Sequence, residues 1–340
     1  MNEIEIKHRL QKGGFKLDVD IRIPASGITG VFGESGCGKT TLLRCIAGLE
    51  DSSSDDRRPP HQRGIGMVFQ EPSLFAHLSV RRNIEYGWRR SKGAQADLQH
   101  IVDLFDLEAL LNRTATSLSG GEAQRVAIAR ALCQAPRLIL MDEPLSSLDQ
   151  RRRNEILPYF DRLHEEVSLP VIYVSHDIEE ISRICDHLLI MDDGHIVAAG
   201  ALQDVLARID LPQLSGRNAG AAIAAKPIRY DEKFDLTTFE FSGGELCAPG
   251  RVELGAGTRL RVNASDISLC RDLPKLTTIL NILAAKIDAI ESESDAIVLV
   301  RLKVAEDFLI ARITKRSLNE LDLRVGESVF AQIKSVTVRR

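Results

Sequence analysis

The sequence predicts an α/β domain with a mainly parallel sheet, followed by a small all-β domain. Three observations support this prediction. Up to about residue 210, short apolar runs alternate with helical patterns, as in a parallel sheet covered by helices. Near residue 212, proline and glycine accumulate in a loose connection. Beyond it, short segments alternate between apolar and polar residues. A chain of 340 residues is also too long for one compact core.

The first domain begins with an alternating segment around Ile4 and Ile6, which is typical of a strand. We predict a buried strand at Ile28–Phe32 and then a helix at Lys39–Ala47, which ends at Gly48. Two further apolar strands are predicted at Leu138–Met141 and Val171–Val174. A hairpin is predicted at Ile190–Val197, with its turn at Asp193–Gly194.

The second domain is predicted from strand-like segments at Ile297–Val304, Phe308–Ile313 and Val329–Ile333. We therefore divide the chain into a domain of residues 1–212 and an all-β region of residues 213–340.

Composition excludes several function classes. The net charge is −4 with both signs abundant, so the chain lacks the basic footprint of a nucleic-acid-binding protein. The short basic runs Arg151–Arg153 and Arg89–Arg90 are interpreted as solvated helix faces. No apolar run approaches the length of a membrane span, and the N-terminus lacks a secretory core. The six cysteines have no metal-ligand spacing, which favours reduced thiols in the cytoplasm.

A glycine-rich loop follows the first buried strand and fits G-x-x-x-x-G-K-[ST]. Its glycines let the backbone approach phosphate oxygens, and successive N–H groups form an anion site at a helix N-terminus. Lys39 would reach the β- and γ-phosphates, and the Thr40 hydroxyl could ligate Mg²⁺. The predicted ATP-binding residues are Gly33, Glu34, Ser35, Gly36, Cys37, Gly38, Lys39, Thr40 and Thr41.

Two acids end the apolar strand Leu138–Met141. Asp142 at the strand tip would reach the Mg²⁺ beside Thr40. Glu143, which strand alternation would turn the other way, could deprotonate the attacking water.

A third motif, Leu118-Ser119-Gly120-Gly121-Glu122-Ala123-Gln124, resembles the signature of ABC-type ATPases, with Glu122 where glutamine is most frequent. It precedes a helix with an apolar face, whose first N–H groups suit a phosphate. The tetrapeptide recurs at Ser242–Glu245 between β-like segments, where we expect only a hairpin turn.

The resemblance covers about residues 1–210 and implies a P-loop NTPase fold with a helical subdomain at about 71–133. It assigns Gln70 as the loop glutamine that senses Mg²⁺ and water, and Asp149 to the D-loop. It also assigns His176 as the switch histidine that contacts the γ-phosphate. The implied catalytic set is Lys39, Gln70, Glu143 and His176, and the implied magnesium ligands are Thr40, Asp142 and Gln70.

The chain has one phosphate loop and one signature. In the family, the loop of one subunit closes over ATP against the signature of another, so the resemblance implies a dimer of two copies. It also implies integral membrane permease subunits, a periplasmic or surface oxyanion-binding protein, and a peripheral location on the cytoplasmic face of the inner membrane.

Two departures from the family affect the adenine side. The polar tract Asp51–Pro60 is shorter than the paired strands usual there, so the antiparallel edge of the domain is expected to be trimmed. Phe15 is the best candidate to stack on adenine, but its alternation with Leu17 and Val19 fits a core residue equally well.

The C-terminal region resembles the molybdate-binding (Mop/TOBE-like) barrel appended to ATPases of molybdate and tungstate importers, over about residues 275–340. The resemblance lies in Thr277–Leu283, Ala311–Ser317 and Ala331–Val336, with Leu74–Val80 and Ile156–Tyr159 similar to the same branch. An OB-like barrel and an oxyanion substrate are therefore expected. Candidate donors to a tetrahedral dianion are Thr277, Thr278, Asn281, Ser317 and Lys334. Leu280 stands where an arginine is often found, and the barrel could instead only brace the dimer.

Three alternatives stay open at the level of sequence. The chain could energise an importer of sulfate, ferric ion or a sugar, whose ATPases often carry another β-barrel. It could be a soluble ABC ATPase of DNA repair or translation, although such proteins usually carry coiled-coil insertions or tandem nucleotide domains. A regulatory oxyanion sensor would not need the complete hydrolytic set.

Overall fold

The structure, a computed structural model, describes residues 3–54, 56–89, 97–166, 169–255 and 257–339. The chain forms two compact units, residues 1–200 and 201–340. The domain limits drawn from the sequence near residue 212 remain a prediction. Arg90 and the remainder of 90–96, within the predicted helical subdomain, lie outside the described residues.

The first unit alternates strands and helices along the chain. Its strands are β1 Glu3–Lys12, β2 Phe15–Pro24, β3 Ile28–Phe32, β4 Ile65–Val68, β5 Leu138–Asp142, β6 Val171–Val174, β7 His187–Asp192 and β8 His195–Ala201. Its helices are α1 Lys39–Ala47, α2 Val80–Trp88, α3 Leu98–Leu104, α4 Gly120–Leu132, α5 Gln150–Glu166 and α6 Ile178–Ile184.

The main sheet has six strands in the order β4-β5-β6-β3-β7-β8. Strands β4, β5, β6, β3 and β7 pair in parallel. Strands β3, β5 and β6 are buried along their whole length, which explains their continuous apolar sequence. Because they run parallel, their carboxyl ends lie at one edge of the sheet, where α/β proteins place ligands.

Helix α1 packs in the same core as β1, β2 and the main sheet. It ends where Gly48 takes φ 76°, a left-handed conformation that suits glycine. The Arg63 guanidinium donates to the carbonyls of Cys45 and Ile46, so the last turn of α1 is satisfied by a side chain from another segment.

Strands β1 and β2 form a separate antiparallel sheet, which has two strands among the described residues. The short polar tract adds one bridge to it, since Ser53 and Arg9 exchange backbone hydrogen bonds of 2.9 and 3.2 Å.

The second unit is mainly β. Its elements are α7 Leu202–Leu206, β9 Gly220–Asp231, β10 Leu236–Phe241, β11 Gly244–Pro249, β12 Thr258–Asn263, β13 Ile267–Cys270, β14 Asn281–Ser292, β15 Ile297–Val304, β16 Asp307–Thr314, α8 Lys315–Glu320, β17 Ser328–Ile333 and β18 Thr337–Arg339.

These strands form two five-stranded sheets, β11-β10-β9-β12-β18 and β13-β17-β14-β15-β16. The end strands β13 and β16 of the second sheet approach each other, so the sheet curls toward a barrel. The apolar faces of both sheets share one core. The repeated Ser-Gly-Gly-Glu tetrapeptide joins β10 to β11, which confirms that this copy is a hairpin turn. The predicted fold class is confirmed.

Within the described ranges, no helix combines the length and the apolar character that crossing a bilayer requires.

Candidate functional site

Four predicted site segments meet at the carboxyl edge of the parallel sheet. The glycine-rich loop follows β3, Asp142 ends β5, His176 follows β6, and Gln70 follows β4. The strand register aligns them, because Asp142 pairs with Val174 and Val174 pairs with Val31. Residues far apart in sequence therefore come together at one edge.

The loop between β3 and α1 requires glycine at two positions for steric reasons. A Cβ on Gly33 would lie 2.2 Å from the carbonyl oxygen of Met191. Gly38 has φ 107°, and a Cβ there would lie 2.5 Å from the Phe15 ring. The backbone can therefore turn tightly and present its N–H groups at the N-terminus of α1.

Lys39 is the first residue of α1, directly after the loop, and is 5% exposed. Its ammonium donates to the carbonyl oxygens of Gly33 at 2.7 Å and Glu34 at 2.9 Å. An ammonium has three donors, so one remains for an anion held in the loop. Burial raises the pKa of the neighbouring Cys37 thiol, which disfavours its thiolate form.

Thr40 and Asp142 meet directly, since the Thr40 hydroxyl donates to Asp142 Oδ1 at 3.0 Å. Asp142 is 7% exposed, and burial raises the pKa of its carboxyl group, with the Thr40 hydrogen bond opposing that shift. A buried carboxylate with one hydrogen-bond donor retains oxygen lone pairs for a cation.

Glu143 and His176 form a second pair, with Glu143 Oε2 and His176 Nδ1 2.9 Å apart. The prediction that strand alternation sets the direction of the Glu143 side chain is wrong, because β5 ends at Asp142 and Glu143 lies outside the strand. Glu143 instead has φ 46°, a left-handed conformation that is costly for a residue with a Cβ. Its N–H donates to the Val174 carbonyl at 3.0 Å, which ties the turn to β6.

Gln70 lies two residues after β4, next to the strand that ends in Asp142, and is exposed. Phe15 is partly buried against the core and also touches the loop at Gly38. The geometry therefore leaves both interpretations of Phe15 open.

The signature segment caps helix α4. The Ser119 hydroxyl accepts from the Glu122 N–H, and the Glu122 carboxylate accepts from the Ser119 N–H at 2.7 Å. This hydrogen bond and Arg113, 3.0 Å away, hold the pKa of Glu122 below its usual range. Glutamate in place of glutamine thus completes a charged cap, and Gly120 and Gly121 open the helix. Asp149 likewise accepts from the Arg152 N–H at 2.9 Å at the start of α5.

The interpretation of Arg151–Arg153 as a solvated helix face is wrong for one residue. The side chain of Arg151 is 90% exposed, whereas that of Arg153 is 20% exposed and contacts Asp177 and Glu180. The spacing in the sequence could have indicated this difference. Arg153 lies four residues after Asp149, and residues four apart share one face of a helix, so Arg153 lies on the side of the D-loop.

The five candidate oxyanion donors do not lie together at one place in this chain. Thr277 donates to Gln332 on β17, close to Asn281 and Lys334. Ser317 bonds to Thr314 beyond the other end of β14, where Thr314 pairs with Ile297. Asn281 accepts from the Cys247 N–H at 2.7 Å and donates to its carbonyl at 2.9 Å, so its amide joins β14 to β11. Thr278 and Lys334 are exposed.

Comparisons with known proteins identify the family of the chain. The ABC transporter family model matches residues 17–146, and the TOBE domain model matches residues 277–339. The molybdenum import ATP-binding protein of Methylococcus capsulatus is 45% identical over 354 aligned residues, covering 99% of each chain. The protein of the same name from Thiobacillus denitrificans is 47% identical and covers 98% of this chain and 97% of its own length.

A solved structure supports the fold. CbiO1 from Clostridium perfringens, part of the ABC transporter complex cbiONQ, has a TM-score of 0.52 and 24% identity, and covers 62% of this chain and 92% of its own. Its likeness concerns the fold alone. On the full-length similarity to its curated relatives, this chain belongs to the family of molybdenum import ATP-binding proteins, within the ABC transporter ATPases.

Proposed function

We propose that two copies of this chain hydrolyse ATP to energise an importer of molybdate, or of tungstate, through permease subunits in the inner membrane. The hydrolytic part of this proposal rests on one observation. The phosphate loop, the Thr40–Asp142 pair and the Glu143–His176 pair all lie at one edge of the sheet. The substrate is inferred from relatives that are named for molybdenum import and match the chain end to end.

ATP would bind with its phosphates in the concavity of N–H groups between Gly36 and Thr41. These dipoles point at the anion, and the ammonium of Lys39 adds a full charge beside them. The phosphates would thereby lie at the carboxyl edge of the sheet, where Glu143 also lies.

The residues at the loop fit magnesium. Mg²⁺ prefers oxygen ligands, usually one or two carboxylates with phosphate and water. The Thr40 hydroxyl and the Asp142 carboxylate provide such oxygens 3.0 Å apart, with Gln70 on the adjacent strand end. A bound Mg²⁺ would neutralise phosphate charge, and it would offset the cost of burying Asp142.

Glu143 would accept a proton from the attacking water. The 2.9 Å contact with His176 orients the Glu143 carboxylate. The positive φ of Glu143 turns the backbone away from the direction of strand β5. His176 is half exposed, and its other ring nitrogen would contact the γ-phosphate of a bound ATP.

The signature residues Ser119, Gly120, Gly121 and Glu122 would act on the ATP of the second copy. The capped start of α4 offers N–H groups to its phosphate, and Asp149 would lie in the same interface. We propose a head-to-tail dimer that closes on two ATP and opens after hydrolysis.

The proposal places the protein on the cytoplasmic face of the inner membrane, with an oxyanion-binding protein delivering the substrate from outside. Copurification from membranes, followed by uptake of labelled molybdate and sulfate into vesicles containing the purified complex, tests the assignment. We expect ATP-dependent uptake of molybdate. Uptake of sulfate in preference to molybdate would contradict the substrate, and copurification without any integral membrane protein would contradict the transport role.

Anion binding by the second unit is a separate part of the proposal. It draws support from the hydroxyl and ammonium donors of Thr277, Thr278 and Lys334, which lie near one end of β14. Isothermal titration of the full chain with molybdate, with ATP omitted, should give a saturable heat. A flat titration would refute this binding and leave the import assignment intact.

A further inference from the structure

The guanidinium of Arg153 lies between the two loops that carry Glu143 and His176. Arg153 is in the first turn of α5, and its N–H donates to the Asp149 carbonyl at 2.9 Å. Its side chain is only 20% exposed, although it is the third member of a basic run. A guanidinium withdrawn from water needs fixed partners, and these partners indicate its role.

On one side, Arg153 holds the segment that follows Glu143. Its Nε donates to the carbonyl oxygens of Leu145 at 3.2 Å and Leu148 at 3.1 Å. The same segment is joined to the proposed base, because the Ser146 hydroxyl donates to the Glu143 carbonyl at 2.8 Å. Any shift of this segment would therefore move the backbone of Glu143.

On the other side, Arg153 holds the segment that follows His176. Its Nη1 donates to Asp177 Oδ2 at 3.1 Å and lies 3.4 Å from Glu180 Oε1. Asp177 is the neighbour of His176 and caps α6 through the Glu179 N–H.

The acidic partner Glu180 anchors this side in the core. It is 6% exposed, and its Oε2 accepts from the hydroxyls of Tyr173 at 3.0 Å and Ser175 at 2.8 Å. Both of these residues lie on or next to β6, so Arg153 is connected to the strand that precedes His176.

We infer that Arg153 is a positioning residue that fixes the Glu143–His176 hydrogen bond by clamping both loops with one planar group. The inference rests on the proposed function, since it concerns the alignment of the proposed base. A planar fork of donors can satisfy carbonyl and carboxylate oxygens on two sides at once. A lysine at this position carries all its donors on one nitrogen, so it would not span the two sides and would hold one of them only.

The test compares Arg153→Ala and Arg153→Lys with Arg151→Ala, which removes an exposed neighbour that pairs with Glu155 on the surface of the same helix. We expect kcat for ATP hydrolysis to fall about 10- to 100-fold in both Arg153 variants, because the base loses its alignment. The KM for ATP should stay within about twofold, since the phosphate loop is untouched. Arg151→Ala should behave like the unmodified protein.

Two further measurements separate positioning from general structural support. Asp177→Asn retains the helix cap but removes one of the two carboxylate charges that face Arg153, the other being that of Glu180. Combining it with Arg153→Ala should add no further loss in kcat. Added guanidinium should restore part of the turnover of Arg153→Ala but none of that of Glu143→Gln.

The His176 ring resonance, assigned with a His176→Asn variant, should shift in Arg153→Lys but not in Arg151→Ala. This measurement needs no turnover, so it tests the inference even if the chain does not hydrolyse ATP. A chain that does not hydrolyse ATP would contradict the proposed function instead. An unchanged kcat and ring resonance in Arg153→Lys would overturn the inference. So would additive losses in the double variant.

Discussion

The ATPase unit and the β unit differ in how they bring chemically useful side chains together. At the edge of the parallel sheet, Thr40, Asp142, Glu143 and His176 form two hydrogen-bonded pairs from three separate segments. In the β unit, Ser317 and Asn281 lie near opposite ends of β14. Adjacent parallel strands end at the same edge, whereas adjacent antiparallel strands end at opposite edges. Motif order along the chain therefore predicts proximity in the first unit but not in the second.

The largest expected effect is at the proposed base. Glu143→Gln should lower the rate of ATP hydrolysis by about 10²- to 10⁴-fold, because an amide cannot accept the proton from water. Nucleotide binding, followed with a fluorescent ATP analogue, should be retained. Glu320→Gln, an exposed change of the same kind in the β unit, serves as the control. Full turnover by Glu143→Gln would remove this residue from the hydrolytic step.

The Thr40–Asp142 contact gives the next largest effect. Thr40→Val should raise the Mg²⁺ concentration needed for half-maximal hydrolysis about 10- to 100-fold, because it removes an oxygen ligand and leaves Asp142 without its donor. Thr40→Ser retains the hydroxyl and should stay close to the unmodified protein. If titration with Mg²⁺ gave the same midpoint for Val and Ser, the magnesium assignment of Thr40 would be wrong.

Asn281 tests whether the β unit uses its polar groups for structure. Asn281→Ala should lower the free energy of unfolding of this unit by about 1–2 kcal/mol, since it leaves the N–H and carbonyl of Cys247 without their partners. Thr278→Ala, at an exposed position, should change it by less than about 0.5 kcal/mol. Equal stability of the two variants in urea unfolding would show that the Asn281–Cys247 link contributes nothing.

The smallest effect is a difference in acid sensitivity between the units. All eight histidines lie before residue 201. Burial, aided by the charge of Arg63, lowers the pKa of His8 from 6.5 to about 4. The unfolded chain then binds a proton that the folded chain does not, so the stability that His8 contributes is lost as the pH falls from 6.5 toward 4.

We expect this loss to reach about 1 kcal/mol once screening is allowed for, and to be absent in His8→Gln. Unfolding curves measured for both proteins between pH 7 and pH 4.5 provide the check. Parallel pH profiles would show that His8 is not the group responsible.

Much of the ATPase unit was predictable because its elements are locally determined. The strand Ile28–Phe32 and the helix Lys39–Ala47 have the predicted limits, since a continuous apolar run and a glycine on each side of the helix define them. The role of Arg153 was not predictable from its basic neighbours, because its environment depends on α6 and on the turn after β5. The direction of Glu143 likewise depends on a positive φ that the strand pattern does not reveal.

The β unit was predictable in class but not in detail. Alternation gave strands such as Ile297–Val304, whose limits the structure reproduces. The use of the Asn281 amide by Cys247 could not be foreseen, because it joins strands of two different sheets. The TOBE match and the curled sheet confirm the class, and the oxyanion site stays a prediction.

The central claim is that main-chain N–H groups, Lys39 and Thr40 hold the triphosphate where Glu143 can act. Its most direct test is ATP consumption by purified protein in which Lys39 and Thr40 are both alanine, beside the unmodified chain. We predict that hydrolysis is abolished while the thermal unfolding transition is retained, since both side chains lie at the loop and not in the core of the sheet. Consumption of ATP at the unmodified rate would contradict the account.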